Sequence, residues 1–368
     1  MTSVTTRRHL LGSLGAFAVS AFVPSAQATS DQRTRVIDIA DIIQTRTLGS
    51  GQAAMRVTAL GLGCMGMSHH RSETPDKSML KRLIAHAYDL GVNFFDTAQV
   101  YGRVRAENEK LVGEAISPFK DRIQVATKFG FVFDENEKKI EGQFNSRPEN
   151  IRRVCEESLK NLGIETIDLF YQHRFDPAVA DLIKEGKVKH FGMCEVGPNT
   201  IRAAHRECPL TAIQSEYHLM WREPETKIFP TLAELGIGFV PYCPLCRAFP
   251  LGQINDNSTF PKNDRRATLP MFTPEALKAN MPFVHLVAKW AKQSGCTPAE
   301  FVLGWVLSRG KHIAPIPGTT NPKHLDEDLR AASLSLSADE WKKFDEEFGQ
   351  IKLVGHRADP FTESQIDK

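Results

Sequence analysis

Apolar residues along the chain follow two alternating patterns. Short, nearly continuous apolar runs alternate with longer stretches whose apolar positions recur every three or four residues. The first pattern predicts buried strands over residues 57–62, 92–96, 123–128, 167–172, 188–193, 212–216, 238–241 and 313–316. The second predicts amphipathic helices over 77–90, 147–162, 200–206, 225–235 and 322–330. In the helix 147–162 this spacing puts Ile151, Val154, Cys155, Ser158 and Leu162 on one buried face. Eight strands, most of them followed by a helix, imply parallel pairing with the helices outside. The expected fold is therefore α/β, a single (β/α)8 TIM barrel. Residues 46–48 and 55–57 flank Gly49-Ser50-Gly51 and predict a hairpin that caps the barrel bottom. Residues 252–281, rich in Asn, Asp and Pro, read as a long insertion of the kind that forms lids or substrate walls.

Composition narrows the partners without changing this fold. The 368 residues are 41% hydrophobic and 24% charged, with a formal net charge of +2 and no basic block. Neither nucleic acid nor an anionic membrane surface is expected as a partner. The first 28 residues read differently. Arg7 and Arg8 precede an apolar run over 10–23, Pro24 ends it, and Ala26-Gln27-Ala28 supplies small residues for cleavage. That order is the one a secretory signal peptide uses, and it is too short to span a membrane. The arginine pair resembles a twin-arginine signal, which exports folded proteins to the periplasm. The expected organisation is thus a signal peptide over 1–28, a flexible arm over 29–45 and the barrel over 46–368. Without a functional leader the protein would stay in the cytoplasm. Seven scattered cysteines make no disulfide framework, and no metal is expected. Cys243 and Cys246 are the one close pair. They are either a redox couple or two unpaired small side chains.

In a parallel barrel the chemistry lies at the C-terminal strand ends. The second strand ends in Asp96, with Tyr101 five residues further on; the third ends in Lys128 and the fourth runs into His173. A carboxylate, a phenol, an amine and an imidazole thus emerge on one face from three consecutive strands. Taken singly, such residues are as readily a helix cap, a rim residue or a solvated surface group.

Eight ordered segments resemble the signatures of aldo-keto reductases. They are GLGCMGMS (61–68), NFFDTAQVYG (93–102), VATKFGF (125–131), DLFYQHRFDP (168–177), GKVKHFG (186–192), QSEY (214–217), VPYCPL (240–245) and PIPGTTNPKHLDEDL (315–329). The chain is most similar to the bacterial pyridoxal and phenylacetaldehyde reductase-like branch, itself similar to potassium-channel β-subunits. The resemblance implies a catalytic tetrad of Asp96, Tyr101, Lys128 and His173 reducing aldehyde or ketone carbonyls to alcohols. Tyr101 would act as general acid, Lys128 would lower its pKa, Asp96 would fix Lys128, and His173 would orient the carbonyl oxygen.

It also implies an extended nicotinamide cofactor, NADPH with NADH possible, across the barrel mouth. No Gly-x-Gly-x-x-Gly opens a helix after the first strand, so a Rossmann site lacks its fingerprint. By resemblance, Tyr242 would stack under the nicotinamide, and Gln214, Cys194 and Glu195 would hold its carboxamide. Cys64, Cys243, Leu245 and Gly318 would line the site, and Arg247 would meet the pyrophosphate. Thr320, His324, Glu327 and Asp328 would meet the adenosine and its 2′-phosphate, aided by free N–H groups at a helix N-terminus. The chain departs from the branch in places. Cys246 and Ala248 stand where glycines are usual, His324 where arginine is commoner, Asp328 where asparagine is, and Cys194 where serine is. The segment after His173 is about nine residues shorter than is usual, leaving a helix of barely two turns at 178–184 and apolar surface at that edge. A catalytically weak nicotinamide-binding sensor or regulatory partner subunit is the alternative function. A glycosidase would need two carboxylates across the mouth, which Asp96 with its lysine and tyrosine neighbours does not offer.

Overall fold

The computed structural model describes residues 43–68, 75–173 and 181–367. The expected leader, most of the arm, Arg174, Asp176 and residues 178–180 of the shortened helix lie outside the described residues. β1 (Thr45–Leu48) and β2 (Met55–Thr58) form the expected hairpin, pairing Arg46 with Val57 and Leu48 with Met55. Leu48, Met55 and Val57 are buried and plug the barrel floor. Gly238 makes room for that plug, because a Cβ there would stand 2.6 Å from Leu48 Cδ2.

The run 57–62 is not one strand. Thr58 Oγ1 donates to Leu60 O, and Ala59 N pairs with Gln44 O, so the chain turns before β3 (Leu62–Gly63) enters the barrel. The remaining barrel strands are β4 (Phe94–Asp96), β5 (Gln124–Phe129), β8 (Ile167–Gln172), β9 (Val188–Cys194), β10 (Leu210–Glu216) and β11 (Gly238–Tyr242). They lie side by side in the order β11-β10-β9-β8-β5-β4-β3, every pair parallel.

Residues 313–317 close the ring without forming a regular strand. Ala314 N and Ile316 N donate to Phe239 O and Pro241 O on one side. On the other side, Pro315 O and Pro317 O accept from Gly61 N and Gly63 N. Proline has no N–H to donate, and here both prolines face an edge where they only need to accept. Seven strands and this proline-spaced segment make the TIM barrel.

Helices cover the outside. Pro148–Leu162 buries Ile151, Val154, Cys155, Ser158 and Leu162, the face its spacing predicts. It starts on a proline and ends at Gly163 in the left-handed conformation, as helix ends prefer. The helix expected over 225–235 is two, Glu223–Lys227 and Phe229–Leu235. Pro230 fits the first turn of the second, but inside one continuous helix it would break the hydrogen-bond ladder. The insertion after residue 252 ends at Thr273, whose side chain caps the helix Pro274–Gln293 by accepting from Ala276 N. An antiparallel hairpin, β6 (Phe131–Phe133) and β7 (Lys139–Phe144), follows β5. The sequence pattern gives no sign of it, because its turn is mostly charged and β7 has only Ile140 and Phe144 as apolar residues. Among the described residues, no helix is long and apolar enough to cross a membrane.

Candidate active site

Side chains alternate across a strand, and in β5 this alternation separates structure from chemistry. Thr127 faces outward, donating to the buried carboxyl of Glu109 at 2.6 Å. Lys128 faces inward, and its side chain has no solvent exposure. Lys128 Nζ donates to Asp96 Oδ1 at 2.5 Å and to Thr97 O at 2.8 Å. Asp96 ends the neighbouring strand, and its second oxygen accepts from Gln214 Nε2 at 2.8 Å. Burial pushes the Asp96 carboxyl above its ordinary range, against the pull of Lys128. Burial also opposes the Lys128 ammonium, but Asp96 outweighs it and holds this lysine above its usual value. Lys128 is therefore a fixed cation walled off from water.

Tyr101 sits in a loop that its own backbone ties down. Tyr101 N donates to Ala98 O, Asn108 N to Tyr101 O, and Ala106 N to Gln99 O. The Tyr101 ring centroid lies 4.8 Å from Lys128 Nζ, and that of Tyr171, on the other side, lies 5.8 Å away. Tyr101 is 9% exposed. Burial pushes its phenol well above the ordinary value, the Lys128 charge opposes that shift, and Asp96 adds to it. Lysine thus acts in the expected direction, but burial wins. His173 packs edge-on against Tyr101, with centroids 5.8 Å apart, and against Phe131 of the unexpected hairpin at 5.0 Å. The four side chains expected as a tetrad are together at one barrel end.

The rim beside them is arranged differently from the expectation. Glu195 adopts φ +53° and accepts from Glu216 N at 2.8 Å. Its two oxygens take a fork from Arg357 at 3.1 and 2.9 Å. Arg357 is 4% exposed, lies 4.6 Å over the Trp221 ring and also donates to Glu363. Asp367 completes the attachment, with its N donating to Glu195 O and its carboxylate accepting from Gly197 N. A C-terminal segment, 357–367, is therefore bolted to Glu195. Arg247 donates to both oxygens of buried Glu216, and His218 Nε2 lies 2.9 Å from Glu216 Oε1. Arg247 and His218 hold the Glu216 carboxyl far below its usual range despite burial. Neither Arg357 nor the Glu216 pairing has a local signature. Glu216 was legible only as a strand-end acid two residues from Gln214.

The other expected cofactor residues divide into two groups. Tyr242, Cys243, Leu245 and Arg247 are partly exposed around the rim, whereas Cys194 is buried in the barrel interior beside Gln214's strand. Cys64 is also buried, its thiol 3.6 Å from Leu62 O, and burial pushes that thiol up. On the far side of the mouth, Gly318 is exposed, and Thr320 and Glu327 are half-buried. His324 is exposed, while Asp328 is buried, which raises its carboxyl well above the ordinary value. The N-terminus of helix Pro322–Arg330 has fewer free donors than expected. Pro322 has no N–H, Lys323 N donates to Asn321 Oδ1, and His324 N donates to Asn321 O.

Barrel fold and strand-end cluster together define an enzyme with its chemistry at the open mouth. Residues 59–347 match the sequence model of the Aldo/keto reductase family. The chain belongs to that family and is an oxidoreductase. It is 40% identical over 305 residues to the probable aldo-keto reductase 1 of Glycine max, a match covering 80% of this chain and 86% of the relative. In structure it is similar to the glycerol dehydrogenase of Gluconobacter oxydans, with TM-score 0.73 and 28% identity, covering 86% of this chain and 98% of the other. An aldo-keto reductase from Bacillus halodurans shares the fold at TM-score 0.65 and 22% identity, covering 83% of this chain and 96% of its own.

Proposed function

We propose that this protein is a nicotinamide-dependent carbonyl reductase, taking aldehydes or ketones to alcohols with Tyr101 as the proton donor. One observation carries the reading. A fully enclosed Lys128 is paired with Asp96 at 2.5 Å and stands 4.8 Å from the ring of the largely buried Tyr101.

The donor set at the mouth fits a nicotinamide dinucleotide. Tyr242 offers a half-buried aromatic face packed on the cluster that contains Cys194, and Gln214 pairs with Cys194 in the adjoining strand. Across the opening, Thr320 brings a hydroxyl, and Lys323 and His324 bring exposed basic side chains suited to phosphate. These residues would hold the cofactor; Glu195 and Arg247, engaged with Arg357 and Glu216, would contribute less than the resemblance implies. A bound nicotinamide supplies the hydride. NADPH is the proposed form, because Lys323 and His324 favour the extra phosphate.

The chain's own residues then handle one proton and one charge. Charge develops on the carbonyl oxygen in the transition state, and a preorganised cation nearby stabilises it without reorganisation. Lys128 is that cation, and Asp96, Thr97 O and Gln214 keep it in place. Tyr101, whose raised pKa keeps its proton on at neutral pH, donates it to the oxygen. His173, held edge-on between Tyr101 and Phe131, positions that oxygen. The protein is proposed to be exported with its arginine-paired leader, which would carry the folded barrel with cofactor retained.

Purified protein given NADPH and an aromatic aldehyde should oxidise the cofactor with stoichiometric alcohol formation. Tight dinucleotide binding without turnover would instead support a sensor or regulatory subunit, a reading the occupied Glu195 and Arg247 favour.

A further inference from the structure

We propose that Cys243 and Cys246 are a dithiol–disulfide couple, with His218 as the base that drives its closure. The reaction is separate from carbonyl reduction and is read without cofactor or substrate.

Both thiols are free. Cys246 N donates to Cys243 O at 3.0 Å, closing a turn over Pro244 and Leu245. Such a turn keeps its end Cα atoms within about 7 Å, and disulfides span roughly 4.4–6.8 Å. Cys243 is partly exposed and Cys246 is buried, so one thiol can meet a small reagent and the other can resolve it.

His218 has no solvent exposure. Its Nε2 is held by Glu216, while Nδ1 has no hydrogen-bond partner. Cys246 is the other side chain that acts on this ring, which becomes a base toward it only as pH rises through about 9. Burial disfavours the imidazolium, but Cys246 and Glu216 outweigh it and push His218 up to about 9. Burial pushes Cys243 up to about 11, so its reaction with a reagent quickens as pH is raised toward that value.

The backbone is also poised. Cys243, Cys246, Arg247 and Ala248 all have positive φ, between 51° and 71°, in a segment of six residues. Left-handed backbone costs a side-chain-bearing residue roughly 1–2 kcal/mol, so this loop is ready to rearrange.

With a low-molecular-weight disulfide as oxidant, atoms and electrons balance. The Cys243 thiolate attacks one sulfur of the reagent, whose S–S bond breaks and releases one thiol. As pH rises through about 9, His218 becomes neutral, takes the Cys246 proton, and Cys246 attacks Cys243 Sγ. The mixed disulfide breaks and releases the second thiol. Two protein thiols are oxidised to one disulfide, and one small disulfide is reduced to two thiols.

The test incubates the full chain with oxidised glutathione just above the His218 value of about 9, alkylates it after unfolding, and maps the peptide containing both residues by mass. The expected product has lost two hydrogens and carries no alkyl group or glutathione. Cys246→Ser should stop at a single glutathione on Cys243. His218→Gln, compared at that same pH, where the charged ring no longer contributes to stability, should let that adduct persist, slowing closure by about tenfold or more. A lasting Cys243 adduct in the unaltered chain, or no modification of either cysteine, would overturn the couple.

Discussion

Two halves of the barrel mouth solve the same problem in opposite ways. On the β4–β5–β8 side, short strands deliver Asp96, Lys128 and His173, and the buried cation is paired directly with its neighbour Asp96. On the β9–β10–β11 side, charged groups are paired across distant parts of the chain and the loop after Tyr242 runs through left-handed conformations. The first side is a fixed, buried charge cluster, the one proposed to carry the reaction. The second couples the rim to the C-terminal segment and to two thiols. Chemistry is placed by strand ends, whereas the grip around it is set by loops and by the last dozen residues.

The sharpest way to break this contrast is Lys128→Met. The variant leaves Asp96 buried without its cation, so unfolding free energy should fall by about 3–5 kcal/mol in denaturant titrations. Carbonyl reduction should fall by about 10²–10⁴-fold. A wild-type rate in the folded variant would remove the functional distinction between the two sides. Arg357→Met tests the other side. It strips Glu195 of its fork, should destabilise the chain by about 3–5 kcal/mol and should leave the Asp96–Lys128 pairing intact. Thermal melting alongside single-turnover reduction separates the two losses.

pH should distinguish the sides next. His218 stands at about 9 when folded, above its ordinary 6.5. Its contribution is therefore complete below pH 6.5 and is lost as pH rises through about 9. Melting temperature should decline across that window, by an amount worth a few kcal/mol at most. His218→Gln should flatten the decline. The smallest expected effect is Ala248→Gly, which relieves one left-handed residue and should stabilise the protein by about 1 kcal/mol. A loss of stability there would mean the loop is not strained at that position.

The same divide governs how much was legible in sequence. Strands β4, β5, β8, β9, β10 and β11 could be read because buried parallel strands are nearly continuous apolar runs, and Asp96, Lys128 and His173 fall at their ends. The break at 59–61 was not legible, because Thr58 and Leu60 turn the chain through one side-chain hydrogen bond inside an apolar run. Residues 313–316 read as a strand, and they do close the barrel, but proline spacing denies them a regular ladder. The β6–β7 hairpin and Arg357 left no periodic trace. Arg357 matters only through Glu195, a partner 162 residues away, and no local pattern encodes a pairing of that length.

The most direct measurement is the hydride-transfer rate of Tyr101→Phe, taken in single turnover with dinucleotide affinity measured on the same preparation. If the phenol beside Lys128 is the acid, the rate falls by about 10²–10⁴-fold while affinity stays within about twofold. A rate equal to that of the unaltered protein would contradict it.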